Sequence, residues 1–340
     1  MTTPTGAHLV GSVPLSDSQE VFRTASSILG DHLLRIPDGE TGERSNWIGW
    51  QSAIFYDNPV FETVEGAQDA YRPRPQAGIR DDAEFTEASL GRLGYADAAI
   101  ASYQDFVLLK EAGDLPSHIQ FQVSLPTPLA PVSSFVSLAD RPLVEPVYES
   151  IMLAELAEII EAVPRSELAI QWDVAVEFSI LEGIMTSHLE NAETEVVERL
   201  VWLGAHVPED VSMGYHLCYG DAGHRHFKEP EDTSRLAAIA NALSSGVARN
   251  INWIHMPVPR DRSDDAYFQP LTDLSLQFET ELYLGLVHFT DGVDGAQRRI
   301  ETAQKYVSEF GVATECGFGR RPPETVADLM EIHAAVSAPR

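Results

Sequence analysis

The sequence predicts an α/β protein built as a single (β/α)8 barrel. Three observations point there. Short apolar, β-rich runs alternate with longer amphipathic stretches along nearly all 340 residues, and repeated β-α alternation implies a parallel sheet. Eight strand candidates can be counted, which is the number that closes this barrel. No break in composition marks a second domain, so residues 1–340 read as one unit. A doubly wound open sheet is the alternative, but no G-x-G-x-x-G follows an early strand. A Walker A sequence and a G-x-S-x-G elbow are absent as well.

The elements run in this order. The first strand is expected from Ala7 to Val13, and Ser16 caps a helix carrying Val21, Phe22, Ala25, Ile28 and Leu29. The second strand, His32 to Ile36, runs into a loop dense in charge, glycine and aromatics (Asp38, Gly39, Glu40, Gly42, Arg44, Asn46, Trp47). This loop opens an elaborated region near residues 38–115, in which 58–81 reads as an irregular insertion with Pro59, Pro73 and Pro75; loops of that length are usually functional or mobile. A helix comes next, from Tyr95 to Ala112. Strand three is His118 to Leu125, then a helix from Leu143 to Val163. Strand four is Leu168 to Val174, with a helix from about Glu193 to Leu203. Strand five is Val211 to Tyr219, with a helix from about Ser234 to Leu243. Strand six is Asn252 to Val258. Strand seven is Leu282 to Phe289, with a helix from Ala296 to Phe310. Strand eight is Val312 to Cys316, and a last helix runs from about Glu324 to Val336.

Composition narrows the function. A net charge of −29 repels phosphate backbones and anionic lipid, so neither nucleic acid nor membrane is an expected partner. No apolar run approaches the roughly 20 residues a spanning helix needs. The N-terminus shows no secretory signal pattern. Two cysteines in so long a chain give no disulfide framework, and a reducing cytoplasm is the expected location.

Polar residues gather where strands are expected to end: Ser12, Asp38, Glu40, Asp173, His216, Cys218, His255, His288, Asp291 and Cys316. In a barrel, strand C-termini converge on one mouth, where active sites sit. His216 and Cys218 are two apart on a strand, so both point to one face. Cys316 ends the last strand and can reach the same mouth. Imidazole and thiolate suit zinc, and three protein ligands with an open position are typical of catalytic zinc. Two unrelated buried cysteines are the plain alternative.

In its motifs the chain resembles the catalytic C-terminal barrel of cobalamin-independent methionine synthase, over nearly its whole length and in the same order. Gly11-Ser12 resembles the family's opening Gly-Ser-Phe-Pro. Asp38-Gly39-Glu40 with Arg44 and Asn46 is similar to its His-Gly-Glu…Arg-Asn loop. Gln171-Trp172-Asp173, His216-Leu217-Cys218-Tyr219, and Cys316-Gly317 with Arg320 resemble three further elements. The chain is similar to the single-barrel members.

The resemblance implies zinc held by His216, Cys218 and Cys316. His255 stands where the family has a glutamate ligand and is the candidate fourth. It implies catalytic roles for His288 and Asp173, and substrate binding by Ser12, Asp38, Glu40, Arg44 and Asn46. The implied activity is a zinc-dependent thiol methyl- or alkyltransferase, in which a small thiol is deprotonated at the metal and attacks a methyl or alkyl donor, with a folate-type donor one possibility. Trp47, Trp50 and Trp172 are candidates to stack on a flat donor, and His224 and His226 to extend the metal site or orient its ligands. Epoxide opening by a thiol, or a zinc-binding methyl carrier without turnover, are the other readings.

Overall fold

Seven parallel strands form one curled sheet, and their order along it matches their order in the chain. A computed structural model describes residues 3–65, 75–223 and 225–340. The strands are β1 (Arg35–Pro37), β2 (Phe61–Val64), β3 (Gln76–Ile79), β4 (Gln120–Pro126), β5 (Leu168–Val174), β6 (Ser212–Leu217), β7 (Trp253–Pro257), β8 (Glu281–Gly285) and β9 (Gly311–Val312). The large sheet runs β1-β4-β5-β6-β7-β8-β9, while β2 and β3 form a separate antiparallel pair. A doubly wound sheet reverses its order at a switch point; this one never does, as expected for a barrel wall.

The eighth position is not a strand. Ala7–Val13 was the expected first strand, yet this segment makes only isolated contacts. Ala7 bridges Val312 in parallel, and its N–H donates to His32 O, just before β1. Further along, side chains take the carbonyls a ladder would use: Gln122 Nε2 donates to Leu9 O (3.2 Å) and Val10 O (3.1 Å), and Gln171 Nε2 also donates to Val10 O (2.5 Å). A buried carbonyl needs a partner, not a particular one. The segment thus spans the gap between β9 and β1, and the wall is barrel-like with seven strands.

Strand alternation separates two apolar layers. Ile170 and Trp172 of β5 join the main core beneath the helices, whereas Val10, Ala169, Trp253, Tyr283 and Ala313 form a small interior cluster. Gln171 and Asp173 share the interior parity with Ala169. All seven residues of β5 are buried, which is why it reads as a continuous apolar run.

The helices fall near their expected places: Tyr95–Ala112, Arg141–Ala162, Ala192–Ala205, Ser234–Gly246, Gly292–Ala303 and Val326–Val336. The first, Ser18–Leu29, is capped by Asp17 rather than Ser16: the Asp17 carboxylate accepts from Glu20 N, while Ser16 binds the Glu20 side chain. Short helices Leu129–Phe135 and Val176–Leu181, unforeseen in the sequence, come after β4 and β5. The insertion expected to be irregular carries the β2–β3 pair; its residues 66–74 lie outside those described. Among the described residues no helix is long and apolar enough to cross a membrane.

Gln122→Ala removes the donor shared by the Leu9 and Val10 carbonyls in a fully packed interior. We expect a loss of about 2 kcal/mol in stability, read as a lower urea midpoint at unchanged m-value.

Candidate metal centre and substrate cleft

β6 delivers two of the candidate ligands. Its pairing with β5 sets Asp173 opposite His216, and its pairing with β7 sets His216 opposite His255, so the three form one row across the wall. Cys218 lies just past the strand end, and its N–H extends the ladder by one bond to Val174 O (2.9 Å). The chain then turns at Gly220, whose φ of +76° favours glycine, and the Gly220 N–H donates to Cys218 Sγ (3.2 Å).

Cys316 arrives from beyond β9. Gly317 passes so close to Ser12 that an added Cβ would lie 2.9 Å from its backbone nitrogen, and Phe318 N donates to Ser12 O (2.6 Å). This contact carries Cys316 to β6.

The ligand atoms of His216, Cys218 and Cys316 all lie within 4.8 Å of one another, the only such group among the described residues. The sulfurs are 3.8 Å apart, and Cys316 Sγ is 3.8 Å from His216 Nε2. A disulfide would need about 2.05 Å. Two Zn–S bonds of about 2.3 Å at a tetrahedral angle place sulfurs about 3.8 Å apart, so the donor set fits zinc in both type and spacing. The hydrogen bond with Cys218, and then burial, hold the Cys316 thiol well above the usual thiol range. A cation binding here must therefore displace a firmly held proton.

His255 stands behind this group. Its Nε2–H donates to Thr314 O (2.9 Å), and its Nδ1 lies 2.7 Å from His216 Nδ1. Both ring nitrogens are thus engaged away from the sulfurs. The residue expected as a fourth ligand is in the right row but turned to the back of His216. Burial lowers the pKa of His255 to about 3, and burial followed by the neighbouring His255 holds that of His216 well below its usual value.

A cleft lies over the three ligands, and Ser12, Glu40, Trp47, Asp173, Asp221 and Arg320 also line it. Ser12 Oγ donates to Glu40 Oε2. Gln171, two residues before Asp173 on the same face, donates to Asp173 Oδ1 (2.9 Å) while His8 holds its other end at 2.8 Å. Burial pushes Glu40 up to about 7, against the Ser12 hydrogen bond and the Arg44 charge. Burial and then the Glu40 charge push Asp173 well above the carboxylate range, against hydrogen bonds from Gln171 and Trp47. Two carboxyls in one buried site do not both ionise easily. Only two non-glycine residues among those described have positive φ, Glu40 (50°) and Trp47 (49°), and both line the cleft. Strain of this kind gathers at functional sites.

The loop residues divide. Asp38 does not line this cleft; its Oδ2 accepts from Arg44 (2.6 Å) and Ser102 (2.7 Å), and its Oδ1 from Glu40 N (2.9 Å). Asp38 and Arg44, expected at the substrate, instead bolt the loop that presents Glu40. Asn46 lines a second, wider cavity that shares Trp47, Ala175, Gly220, Asp221 and Arg320 with the inner cleft.

His288, expected as the acid/base, is buried away from both cavities. β8 ends at Gly285, so strand alternation does not carry its ring to the mouth. Its Nε2 donates to Val258 O (2.9 Å), its Nδ1 lies 3.8 Å from Glu315, and burial followed by the Arg299 charge lowers its pKa to about 3. His226 is held between Glu229 (3.0 Å) and Glu315 (3.5 Å), outside the ligand group; His224 lies outside the described residues. Trp172 is in the core and Trp50 packs edge-on against Tyr95. Asp221 was missed in the sequence; its signal was its place directly after the Gly220 turn.

No protein-family model matches this sequence, and comparison with curated proteins gives no match. Solved structures do match in fold. One is a protein from Listeria monocytogenes described as a candidate vitamin-B12-independent methionine synthase, at 14% identity and TM-score 0.59, covering 99% of both chains. Another is a B12-independent methionine synthase from Shewanella sp. in complex with selenomethionine, at 13% identity and TM-score 0.63, covering 98% of this chain and 96% of that one. At these identities the likeness is one of fold.

Because the fold holds Glu40 as the protonated acid, its contribution to stability is present at low pH. That contribution is lost as pH rises from the unfolded value of about 4.5 through about 7. Glu40→Gln is expected to flatten the fall in Tm between about pH 5 and about pH 8, measured by thermal melts of both proteins.

Proposed function

We propose that this protein is a zinc-dependent methyl- or alkyltransferase acting on a small thiol that also carries an amino group. The observation that carries this reading is the convergence of His216, Cys218 and Cys316 at zinc-like spacing under the cleft that Glu40 and Asp173 line. Zinc bound there would deprotonate a coordinated substrate thiol near neutral pH. The residues of the chain do the rest. Glu40 and Asp173 would receive the substrate's ammonium group, whose positive charge favours the ionised form of two buried carboxyls. Ser12 would fix Glu40, and Gln171 would fix Asp173. The outer cavity, lined by Asn46 and Trp47, would hold the donor, with the shared wall setting the line of attack. A sulfur lone pair then forms the new S–C bond, and the carbon–leaving-group bond breaks with its electron pair on the leaving group, which takes up a proton. The fold shared with methionine synthases, one of them holding selenomethionine, supports an amino-acid thiol. A folate-type molecule is one donor to test.

Metal analysis of purified protein is expected to give about one zinc per chain, lost in the Cys218→Ser/Cys316→Ser double variant; a zinc-free wild type contradicts the proposal. Zinc displaces thiol protons, so affinity should fall as pH falls, by up to about 100-fold per pH unit if two protons leave. Zinc-edge absorption with added thiols should show a third sulfur only with the substrate thiol, and mass spectrometry against methyl donors and epoxides then identifies the transfer. Asp173→Asn is expected to weaken an aminothiol by at least about tenfold, through loss of a buried charge partner, and to leave the zinc content unchanged.

A further inference from the structure

We propose that His255 is a positioning residue that locks His216 in the tautomer whose Nε2 lone pair faces the two thiols. It thereby leaves the metal with three protein ligands. This deepens the metal-centre reading and rests on it for its purpose, but the hydrogen-bond arrangement can be tested without metal.

Protons can be counted along one line of contacts. Thr314 O is a carbonyl and can only accept, so His255 Nε2, 2.9 Å away, carries a proton. His255 is fully buried, and no carboxylate lies among its hydrogen-bond partners; a second proton would bury an unpaired cation, at high cost. Its Nδ1 is therefore bare. The 2.7 Å contact between the two Nδ1 atoms then requires the proton to sit on His216, and a neutral His216 protonated at Nδ1 has its lone pair on Nε2. That atom is 3.8 Å from Cys316 Sγ. A metal-binding histidine commonly donates its other N–H to a backing acceptor that fixes its tautomer and ring orientation. Here the backing acceptor is a second imidazole in register on the next strand.

The line also ties the two halves of the ligand set together. Thr314 O accepts from His255, and Thr314 Oγ1 donates to Cys316 O (2.6 Å). One residue beyond β9 thus braces both the back of His216 and the backbone of Cys316. A ring with both nitrogens committed in this way has none left for a metal.

The test uses the full chain, with His255→Gln, whose amide can both accept and donate, and His255→Leu, which can do neither. Metal-free protein labelled with ¹⁵N-histidine reports the tautomer by NMR, the His216 signals being identified by their loss in His216→Gln. The expected result is an Nδ1–H tautomer for His216 in the wild type and in His255→Gln, lost in His255→Leu. An Nε2–H tautomer in the wild type overturns the proposal, and that measurement decides even if His255→Leu does not fold. Zinc competition with a chromophoric chelator is expected to show about 10- to 100-fold weaker binding in His255→Leu, with rescue in His255→Gln. Zinc-edge absorption should count one imidazole in the wild type. A second imidazole, lost in His255→Gln, would make His255 a ligand and overturn the proposal. Zinc-free wild type would overturn the transferase reading instead, with the tautomer result standing separately.

Discussion

The in-register pairing of β5, β6 and β7 is the constraint on which the rest of the site depends. Parallel ladders fix which residues stand side by side, and a slip by one residue turns every side chain to the other face. This register puts Asp173, His216 and His255 in one row. Asp173, the candidate ligand His216 and the histidine bonded to it therefore come from neighbouring strands at one height. Cys218 and Cys316 are then placed by the backbone just past the strand ends: the Gly220 turn on one side and the close passage of Gly317 beside Ser12 on the other.

Around that row the chemistry is unbalanced in a useful way. The ligand group is a neutral imidazole and two cysteines in a buried pocket. The cleft above it contains two carboxyls that burial makes reluctant to ionise. The loop that presents Glu40 is bolted from below by Asp38, Arg44 and Ser102, which separates the residues that hold the loop from the residue that faces the cleft.

Much of this was legible in the sequence, and the losses have physical causes. The strands β4 to β8 stood out because buried parallel strands are continuous apolar runs. The His216, Cys218 and Cys316 grouping came from alternation and from the convergence of strand ends. The Ala7–Val13 segment has the composition of a strand, but Gln122 and Gln171 take its carbonyls, a tertiary event that no local pattern records. The row that places His255 beside His216 could be foreseen, but the direction its ring faces depends on Thr314, which is distant in sequence. The resemblance implied substrate roles for Asp38 and Arg44, and a charged, glycine-rich loop reads the same whether its charges face a ligand or each other. His288 was lost to the early end of β8, after which alternation no longer applies.

Anomalous diffraction at the zinc edge from crystals of the zinc-loaded protein tests the central claim most directly. A single peak is expected within about 2.3 Å of both sulfurs and about 2.1 Å of His216 Nε2, with His255 still bonded to Thr314 and making no contact with the metal. A peak bonded to His255, no peak at the three ligands, or a Cys218–Cys316 disulfide in their place would contradict it.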